Sequence, residues 1–147
     1  MEKPYAEVTV LIVDDDEVDY MGMVRAFRKL KIANPIVRAK DGVDGLAALR
    51  DPGLVPRPNI VLLDLNMPRM NGIEFLEELR KDDQLSDTVV FVLTTSAADK
   101  DRVEAYHRHV AGYIVKEQVQ HKFLEVVDML DHYWRVVELP VTPRNLQ

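Results

Sequence analysis

The sequence predicts an α/β domain in which helices cover both faces of a five-stranded parallel sheet. Five apolar runs of strand length recur along the chain, and a segment with helical patterning follows each of them. The runs are continuously apolar rather than alternating, as is typical of strands that are buried on both faces. Strands that alternate with helices indicate βαβ units, in which successive strands are parallel.

The sequence marks some of these strands more strongly than others. The runs TVLIV, NIVLL and TVVFVL are rich in β-branched and aliphatic residues, whereas the second run is shorter and weaker. Right-handed crossovers favour a doubly wound, flavodoxin-like strand order. We predict strands at residues 8–13, 35–39, 59–63, 88–93 and 112–115.

Helical spacing of apolar residues predicts the connecting elements. Ser96 is expected to be the N-cap of the fourth helix, with Asp99 three residues later. We predict helices at residues 17–30, 43–49, 70–80, 99–109 and 119–137. The last of them is the longest, and its apolar stripe comprises Phe123, Val126, Val127, Leu130, Trp134 and Val137.

Length and composition limit the classes of protein to which the chain can belong. A chain of 147 residues is typically one domain, which we place at residues 1–139, with an irregular tail at residues 140–147. Hydrophobic residues make up 47% and charged residues 30%, which excludes a mainly disordered chain. The absence of cysteine excludes disulfides and thiolate metal sites.

Charge and hydropathy bear on the partners. A net charge of −6 offers no basic face for phosphates, so we expect no nucleic-acid partner. No apolar run approaches the roughly 20 residues of a membrane span, and the first residues contain no apolar signal segment. We therefore expect a cytoplasmic protein with no membrane partner.

Polar residues follow four of the predicted strands, at the point where each strand ends. Three aspartates occupy residues 14–16 after the first strand, and Asp64 follows the third. Hydroxyl side chains occupy residues 94–96 after the fourth strand, and Lys116 follows the fifth. Because ligands of open α/β sheets bind at the carboxyl ends of the strands, we expect these side chains to form one site.

Several carboxylates at one edge would repel one another. Two like charges about 4 Å apart repel by roughly 4 kcal/mol near a protein surface, and a hard divalent cation with oxygen ligands, such as Mg²⁺, removes that cost. The alternative is that residues 14–16 only cap the first helix and complement its dipole. Asp64 and Lys116 at matching strand ends favour the metal site.

The same residue types suit phosphoryl chemistry. A carboxylate such as Asp64 can attack phosphorus and form an aspartyl phosphate. Lys116 would offset part of the phosphoryl charge, and the hydroxyl of Thr94 would hydrogen-bond a phosphoryl oxygen. A surface lysine or a strand threonine is common by itself, but their combination with Asp64 favours the functional interpretation.

These residues resemble the motifs of the receiver domain of two-component response regulators, the CheY-like family. The matching pieces are LIVDD at residues 11–15, LLDLNMP at residues 62–68 with Asn71 and Gly72 after it, VLTT at residues 92–95 and GYIVK at residues 112–116. Thr94 lies 30 residues after Asp64 (94 − 64), and Lys116 lies 52 after it (116 − 64), which is similar to the family's spacing. The resemblance extends over about residues 8–139.

The resemblance implies a phosphoacceptor and a metal site. Asp64 would take a phosphoryl group from a phosphohistidine on a sensor histidine kinase. Asp14 and Asp15 would hold Mg²⁺ together with Asp64, and the backbone carbonyl of Asn66 would complete the protein ligands.

The resemblance also implies a switch. Thr94 would move toward the phosphoryl group, the rotamer of Tyr113 would follow it, and Lys116 would pair with the phosphoryl oxygens. One departure concerns Glu117, which stands where the family often has a proline after a cis bond. A non-proline cis bond costs about 3–4 kcal/mol, so this loop is either trans or strained.

The C-terminal third resembles a narrower group, the small response regulators that partner bacterial phytochromes. The matching pieces are AYHRHV at residues 105–110 and the pair Tyr133 and Trp134 before ELP at residues 138–140. This resemblance implies a phytochrome-type sensor kinase as the partner.

A second apolar line on the last helix comprises Met129, Tyr133 and Val136. Pattern alone allows a wide core stripe with scattered surface residues, or an interaction face of a symmetric homodimer. The family resemblance favours the dimer.

The sequence therefore predicts a single-domain phosphoacceptor whose own chemistry is limited to self-phosphorylation and self-dephosphorylation, and not an enzyme. The alternative is an aspartate-based phosphatase, which needs a second acid two residues after the nucleophile. Asn66 occupies that position and cannot act as an acid. A nucleotide-binding domain would need a glycine-rich turn where residues 14–17 read DDDE.

Overall fold

The predicted sheet is present in the computed structural model, which describes residues 7–118 and 123–141. Five parallel strands form one sheet in the order β2-β1-β3-β4-β5, which confirms the flavodoxin-like arrangement. The strands are β1 (Thr9–Val13), β2 (Ile36–Ala39), β3 (Asn59–Leu63), β4 (Val89–Thr94) and β5 (Gly112–Val115).

Five helices connect or follow these strands, as predicted. They are α1 (Glu17–Lys29), α2 (Gly42–Leu49), α3 (Gly72–Lys81), α4 (Asp99–His107) and α5 (Leu124–Val136), with a 3₁₀ turn at Lys116–Gln118. The prediction of a fourth helix to residue 109 is too long, because His109 has a left-handed φ of 61°. The predicted start of the last helix at residue 119 lies outside the described residues, and α5 begins after Phe123, whose φ is 72°.

Both faces of the sheet are covered, which explains the continuously apolar strands. In β1, Leu11 and Val13 belong to one buried cluster, which α2, α3 and Ala105 of α4 complete. Val10 and Ile12 belong to the other cluster, beneath α1 and α5. Successive side chains of a strand point to opposite faces, so both sets need apolar residues.

The helix starts lie at the carboxyl edge of the sheet. Asp16 caps α1 by accepting hydrogen bonds from the amides of Val18 and Asp19. The prediction that Ser96 caps α4 is wrong, because α4 starts after Ala98 and has no side-chain cap. The Ser96 hydroxyl instead donates to Asp101 at 2.5 Å.

The second apolar line that the sequence predicts on α5 lies only partly outside the core. Met129 and Tyr133 are partly buried against the α1–α5 cluster, and the Tyr133 ring packs edge-on to Phe91 at 5.1 Å between centroids. Val136 is 83% exposed. The expectation that all three residues lie off the packing face is therefore corrected: the sheet contacts a wider stripe of α5 than the predicted one.

The chain after α5 returns to the core before the described residues end. Leu139 packs against the α1–α5 cluster. None of the helices within residues 7–118 and 123–141 is long and apolar enough to span a bilayer.

Candidate functional site

The acidic residues meet at the carboxyl edge because β1 and β3 are neighbours in register. Val13 pairs with Leu63, and the Asp64 amide donates to the Val13 carbonyl at 2.9 Å. Asp14 and Asp64 therefore follow their strands side by side, and only 4% and 6% of their surfaces are exposed. Asp14, exposed Asp15 and Asp64 each offer a carboxylate oxygen, all within 4.8 Å of one another.

The turn after Asp64 requires a glycine at its end. The Gly72 amide donates to the Leu65 carbonyl at 3.0 Å, and a Cβ on Gly72 would lie 2.6 Å from the Asp64 carbonyl oxygen. The amide of Asn66 donates to Asp64 Oδ1 at 3.4 Å, so its backbone is adjacent to the acidic cluster. The role of the Asn66 carbonyl as a metal ligand stays a prediction.

Arg69 ties the same turn to the start of α2. Its φ of 61° is left-handed, and its guanidinium contacts Asp41 at 2.6 Å and Asp44 at 3.0 Å. Burial would raise the pKa of Asp41, but the Arg69 hydrogen bond and charge hold that pKa below its ordinary value. The turn after the predicted phosphoacceptor is thus fixed at both ends.

Lys116 is the cation of the site. Its Nζ atom lies 2.8 Å from Asp14 Oδ2, 2.7 Å from Asp19 Oδ2 and 3.9 Å from Asp64 Oδ2. Burial alone would lower the pKa of Lys116, but the hydrogen bonds to Asp14 and Asp19 raise that pKa above its ordinary value. The ammonium is therefore charged over the whole physiological range.

Glu117, which stands where the family often has a proline, does not displace Lys116 from the site. The bond from Lys116 to Glu117 is trans, since the cis bond among the described residues is Arg57–Pro58. Lys116 opens the 3₁₀ turn after β5, and only 7% of its side chain is exposed.

Thr94 and Tyr113 lie on the β4–β5 side of the site. Thr94 is fully buried at the end of β4, and its hydroxyl lies close enough to the Asp64 carboxylate to lower the pKa of that carboxyl. The half-buried Tyr113 donates its hydroxyl to the Ser96 carbonyl at 2.9 Å. Ser96 is two positions after Thr94, so the Tyr113 contact is made to the loop that Thr94 begins.

The buried carboxylates carry more negative charge than Lys116 balances. Burial raises the pKa of Asp14, and the hydrogen bond from Lys116 only partly counteracts it. Burial likewise raises the pKa of Asp64, although the Lys116 charge and the Thr94 hydroxyl lower it. A converging set of oxygen donors with excess negative charge fits a hard divalent cation.

Two supporting residues were not identified from the sequence. Arg38 donates to the carbonyls of Asp14 and Asp15 at 3.3 Å and pairs with Glu17 at 3.0 Å, so it holds the backbone of the acidic turn. Asp19 contacts Lys116. An arginine on the weakest predicted strand and an acid in a helix's first turn are too common to signal these roles.

The motifs and this geometry agree with a comparison against known families. The response regulator receiver domain model matches residues 10–128. The chain belongs to this family. It is 31% identical over 135 residues to the response regulator Rcp1 of Synechocystis sp., and the match covers 89% of this chain and 92% of Rcp1.

Solved structures agree closely. The phosphorylated cyanobacterial phytochrome response regulator RcpA has a TM-score of 0.81 at 29% identity, covering 92% of this chain and 99% of RcpA. Rcp1 in its Mn²⁺-bound form has a TM-score of 0.78 at 30% identity with the same coverage. RPA3017, a response regulator in red light signaling of R. palustris, has a TM-score of 0.80 at 33% identity, and the match covers 91% of this chain and 99% of RPA3017.

These comparisons confirm the predicted family and fold. The chain is a receiver-domain signalling protein related to the phytochrome response regulators, and such domains are phosphorylated on an aspartate. The phosphatase alternative is not favoured.

Proposed function

We propose that Asp64 accepts a phosphoryl group from the phosphohistidine of a sensor histidine kinase in a Mg²⁺-dependent reaction. The observation that carries this proposal is the convergence of Asp14, Asp15 and Asp64, with carboxylate oxygens within 4.8 Å, beside Lys116 at 3.9 Å from Asp64. Phosphoryl transfer depends mainly on positioning and charge stabilisation, and both are present here.

The transfer forms one bond and breaks one. A carboxylate oxygen of Asp64 attacks phosphorus, the P–N bond to the imidazole breaks, and its electron pair stays on the ring nitrogen. Lys116 and the Thr94 hydroxyl then face the new phosphoryl oxygens. Asp14, Asp15, Asp64 and the Asn66 carbonyl are the residues that would hold Mg²⁺, which neutralises phosphoryl charge when bound.

The switch extends from Thr94 to Tyr113. The Ser96 amide donates to the Thr94 hydroxyl at 3.4 Å, so the loop to Ser96 moves when Thr94 moves toward a phosphoryl oxygen. Tyr113 bonds the Ser96 carbonyl, so its ring responds to the same displacement. Phosphorylation thereby changes the surface around β5 without a large change in the core.

The proposed kinase is of the phytochrome type. RcpA is a phytochrome response regulator and RPA3017 takes part in red light signaling, and both structures match nearly the whole described chain. We further propose a homodimer through α5, of which Val136 is the exposed part. The cytoplasmic location stays a prediction.

A labelling experiment tests the proposal. The protein is incubated with acetyl phosphate and Mg²⁺, and intact mass spectrometry counts acid-stable, base-labile phosphoryl groups. One group is expected on the wild type and on Asp128→Asn, which removes an exposed carboxylate of α5, and none on Asp64→Asn or after metal chelation. A label that persists on Asp64→Asn contradicts the proposal, and steady turnover of a phosphomonoester would favour the phosphatase.

A further inference from the structure

The ammonium of Lys116 is held by a carboxylate that none of the receiver motifs contains. Asp19 lies in the first turn of α1, and its Oδ2 accepts a hydrogen bond from Lys116 Nζ at 2.7 Å. This is the shortest contact of the ammonium, slightly shorter than that to Asp14 at 2.8 Å.

The two contacts leave one donor for Asp64. A lysine ammonium has three N–H donors, and Asp14 and Asp19 take two of them. Asp64 Oδ2 lies 3.9 Å from Nζ, which is too long for a hydrogen bond. An oxygen added to Asp64 would bring an acceptor toward the third donor, which has no hydrogen-bond partner among residues 7–118 and 123–141.

The Asp19 and Asp14 carboxylates differ in the other contacts that they make. Asp14 belongs to the carboxylate cluster that suits a cation, and its Oδ1 also accepts from the Asp16 amide at 2.8 Å. Asp19 offers no oxygen to that cluster. When the Asp14 carboxylate coordinates a cation, Asp19 can still accept its hydrogen bond from the Lys116 ammonium.

Lysine has a flexible four-carbon side chain, so its head group needs fixed acceptors to stay in one place. Only 7% of the Lys116 side chain and 25% of the Asp19 side chain are exposed, and solvent therefore competes little for this contact. The helix start that carries Asp19 is itself fixed, because the Asp19 amide donates to the capping Asp16 carboxylate at 3.1 Å.

We propose that Asp19 is a positioning residue that holds the Lys116 ammonium where its remaining donor meets a phosphoryl oxygen on Asp64. This inference rests on the proposed function of Asp64. A competing role, in which Asp19 withdraws the ammonium from the phosphoryl group, predicts the opposite sign of effect. The two are separable by the rate of phosphorylation.

The test is a double-mutant cycle on the rate of labelling by acetyl phosphate at saturating Mg²⁺. Asp19→Asn is expected to slow labelling of the wild type about tenfold, as is typical when a group that orients a reactive residue is lost. In the Lys116→Ala background it is expected to have no further effect, because Asp19 acts through Lys116. A merely structural role would slow both backgrounds alike.

Asp128→Asn is the matched control. It makes the same change of aspartate to asparagine on the exposed side of α5, where Asp128 lies 3.6 Å from His132 rather than against Lys116. Its rate is expected to equal that of the wild type. Thermal unfolding of each variant checks that α1 remains folded, and the Asp19→Asn change leaves the Asp16 cap intact because the cap uses the Asp19 amide.

A second measurement needs no phosphorylation. The ¹⁵N NMR signal of the Lys116 ammonium, assigned with Lys116→Arg, is expected to exchange slowly with water in the wild type and faster in Asp19→Asn. If Lys116→Ala is labelled too slowly for the double-mutant cycle, this NMR measurement tests the role of Asp19 instead. An unchanged ammonium signal in Asp19→Asn overturns the proposal.

The failures of the two proposals are distinguishable. A wild type that takes no phosphoryl group on Asp64 overturns the proposed function and this inference with it. A labelled wild type with an unchanged or faster rate in Asp19→Asn overturns the role of Asp19 alone, as does an equal loss in the Lys116→Ala background.

Discussion

Lys116 and Asp14 are 102 positions apart in sequence, yet the ammonium of one lies 2.8 Å from the carboxylate of the other. Their strands β5 and β1 are not neighbours in the sheet, because β3 and β4 lie between them. The long lysine side chain therefore crosses the carboxyl edge of two strands to reach the acidic cluster. Its single charge stabilises a group of carboxylates that repel one another.

Removing one of these carboxylates is expected to stabilise the metal-free protein. In Asp64→Asn, the free energy of unfolding should rise by about 2 kcal/mol, since two like charges at this spacing repel by roughly 1 kcal/mol in water and roughly 4 kcal/mol near a protein surface. Urea unfolding in the presence of a chelator measures the change. Lower stability of this variant would show that Lys116 already balances the cluster.

The same stabilisation should depend on pH. An acid whose pKa is raised by folding binds more protons in the folded state, so its contribution to stability falls as pH rises from 3.8, the ordinary value, through the raised pKa. Asp14 and Asp64 both behave in this way. The advantage of Asp64→Asn over the wild type is therefore expected to grow as pH rises above 3.8.

Asp41 provides the control of opposite sign. Its pKa is lowered by Arg69, so its contribution is present above 3.8 and is lost as pH falls through the folded-state pKa. Asp41→Asn should destabilise the protein near neutral pH and have little effect in acid. A pH profile shared by Asp41→Asn and Asp64→Asn would contradict the assignment of these shifts.

Mg²⁺ is expected to stabilise the folded wild type. A ligand at 100 times its Kd adds about 2.7 kcal/mol to the free energy of unfolding. Asp15→Asn should lose most of this gain while it remains folded, because Asp15 is exposed. Asp16→Asn is the control, since asparagine also caps helices and Asp16 is not in the cluster. Equal Mg²⁺ responses in both variants would remove Asp15 from the metal site.

Part of this site could be predicted from topology alone. The apolar runs of β1 and β3 are unambiguous, and an aspartate follows each of them. Parallel pairing of these two strands is therefore enough to place Asp14 and Asp64 side by side. Lys116 and Thr94 follow the same rule at the ends of β5 and β4. These residues are determined by where strands end, which the pattern of apolar residues marks well.

The contacts of Asp19 and Arg38 depend instead on how helix and strand ends are oriented. Asp19 reaches Lys116 only because the first turn of α1 faces the end of β5, and no local pattern encodes that orientation. The error on α5 has a similar cause: Met129 and Tyr133 lie three residues after Val126 and Leu130, so they flank the buried stripe. A helical pattern fixes the centre of the packing face better than its width.

The switch predicts a change at Tyr113 when an acyl phosphate analogue is bound. With fluorotyrosine in the chain, the ¹⁹F NMR signal of Tyr113, assigned with Tyr113→Phe, should shift on addition of beryllofluoride and Mg²⁺. Thr94→Val keeps the side-chain shape but lacks the hydroxyl, so the shift should be lost, whereas Thr94→Ser should retain it. A shift of equal size in Thr94→Val would separate Tyr113 from Thr94.

The proposed dimer is best tested at Val136. Tyr133 packs on Phe91, so Tyr133→Glu would disturb the core, whereas Val136 is 83% exposed in the monomer. Burying a valine contributes about 1.5 kcal/mol or more, so Val136→Glu should weaken the dimer at least about tenfold. Size-exclusion chromatography with light scattering measures the mass, and Val18→Glu, at an exposed valine of α1, is the control. A wild type that is monomeric both at rest and with beryllofluoride would exclude the dimer, because neither state would then use the exposed end of α5.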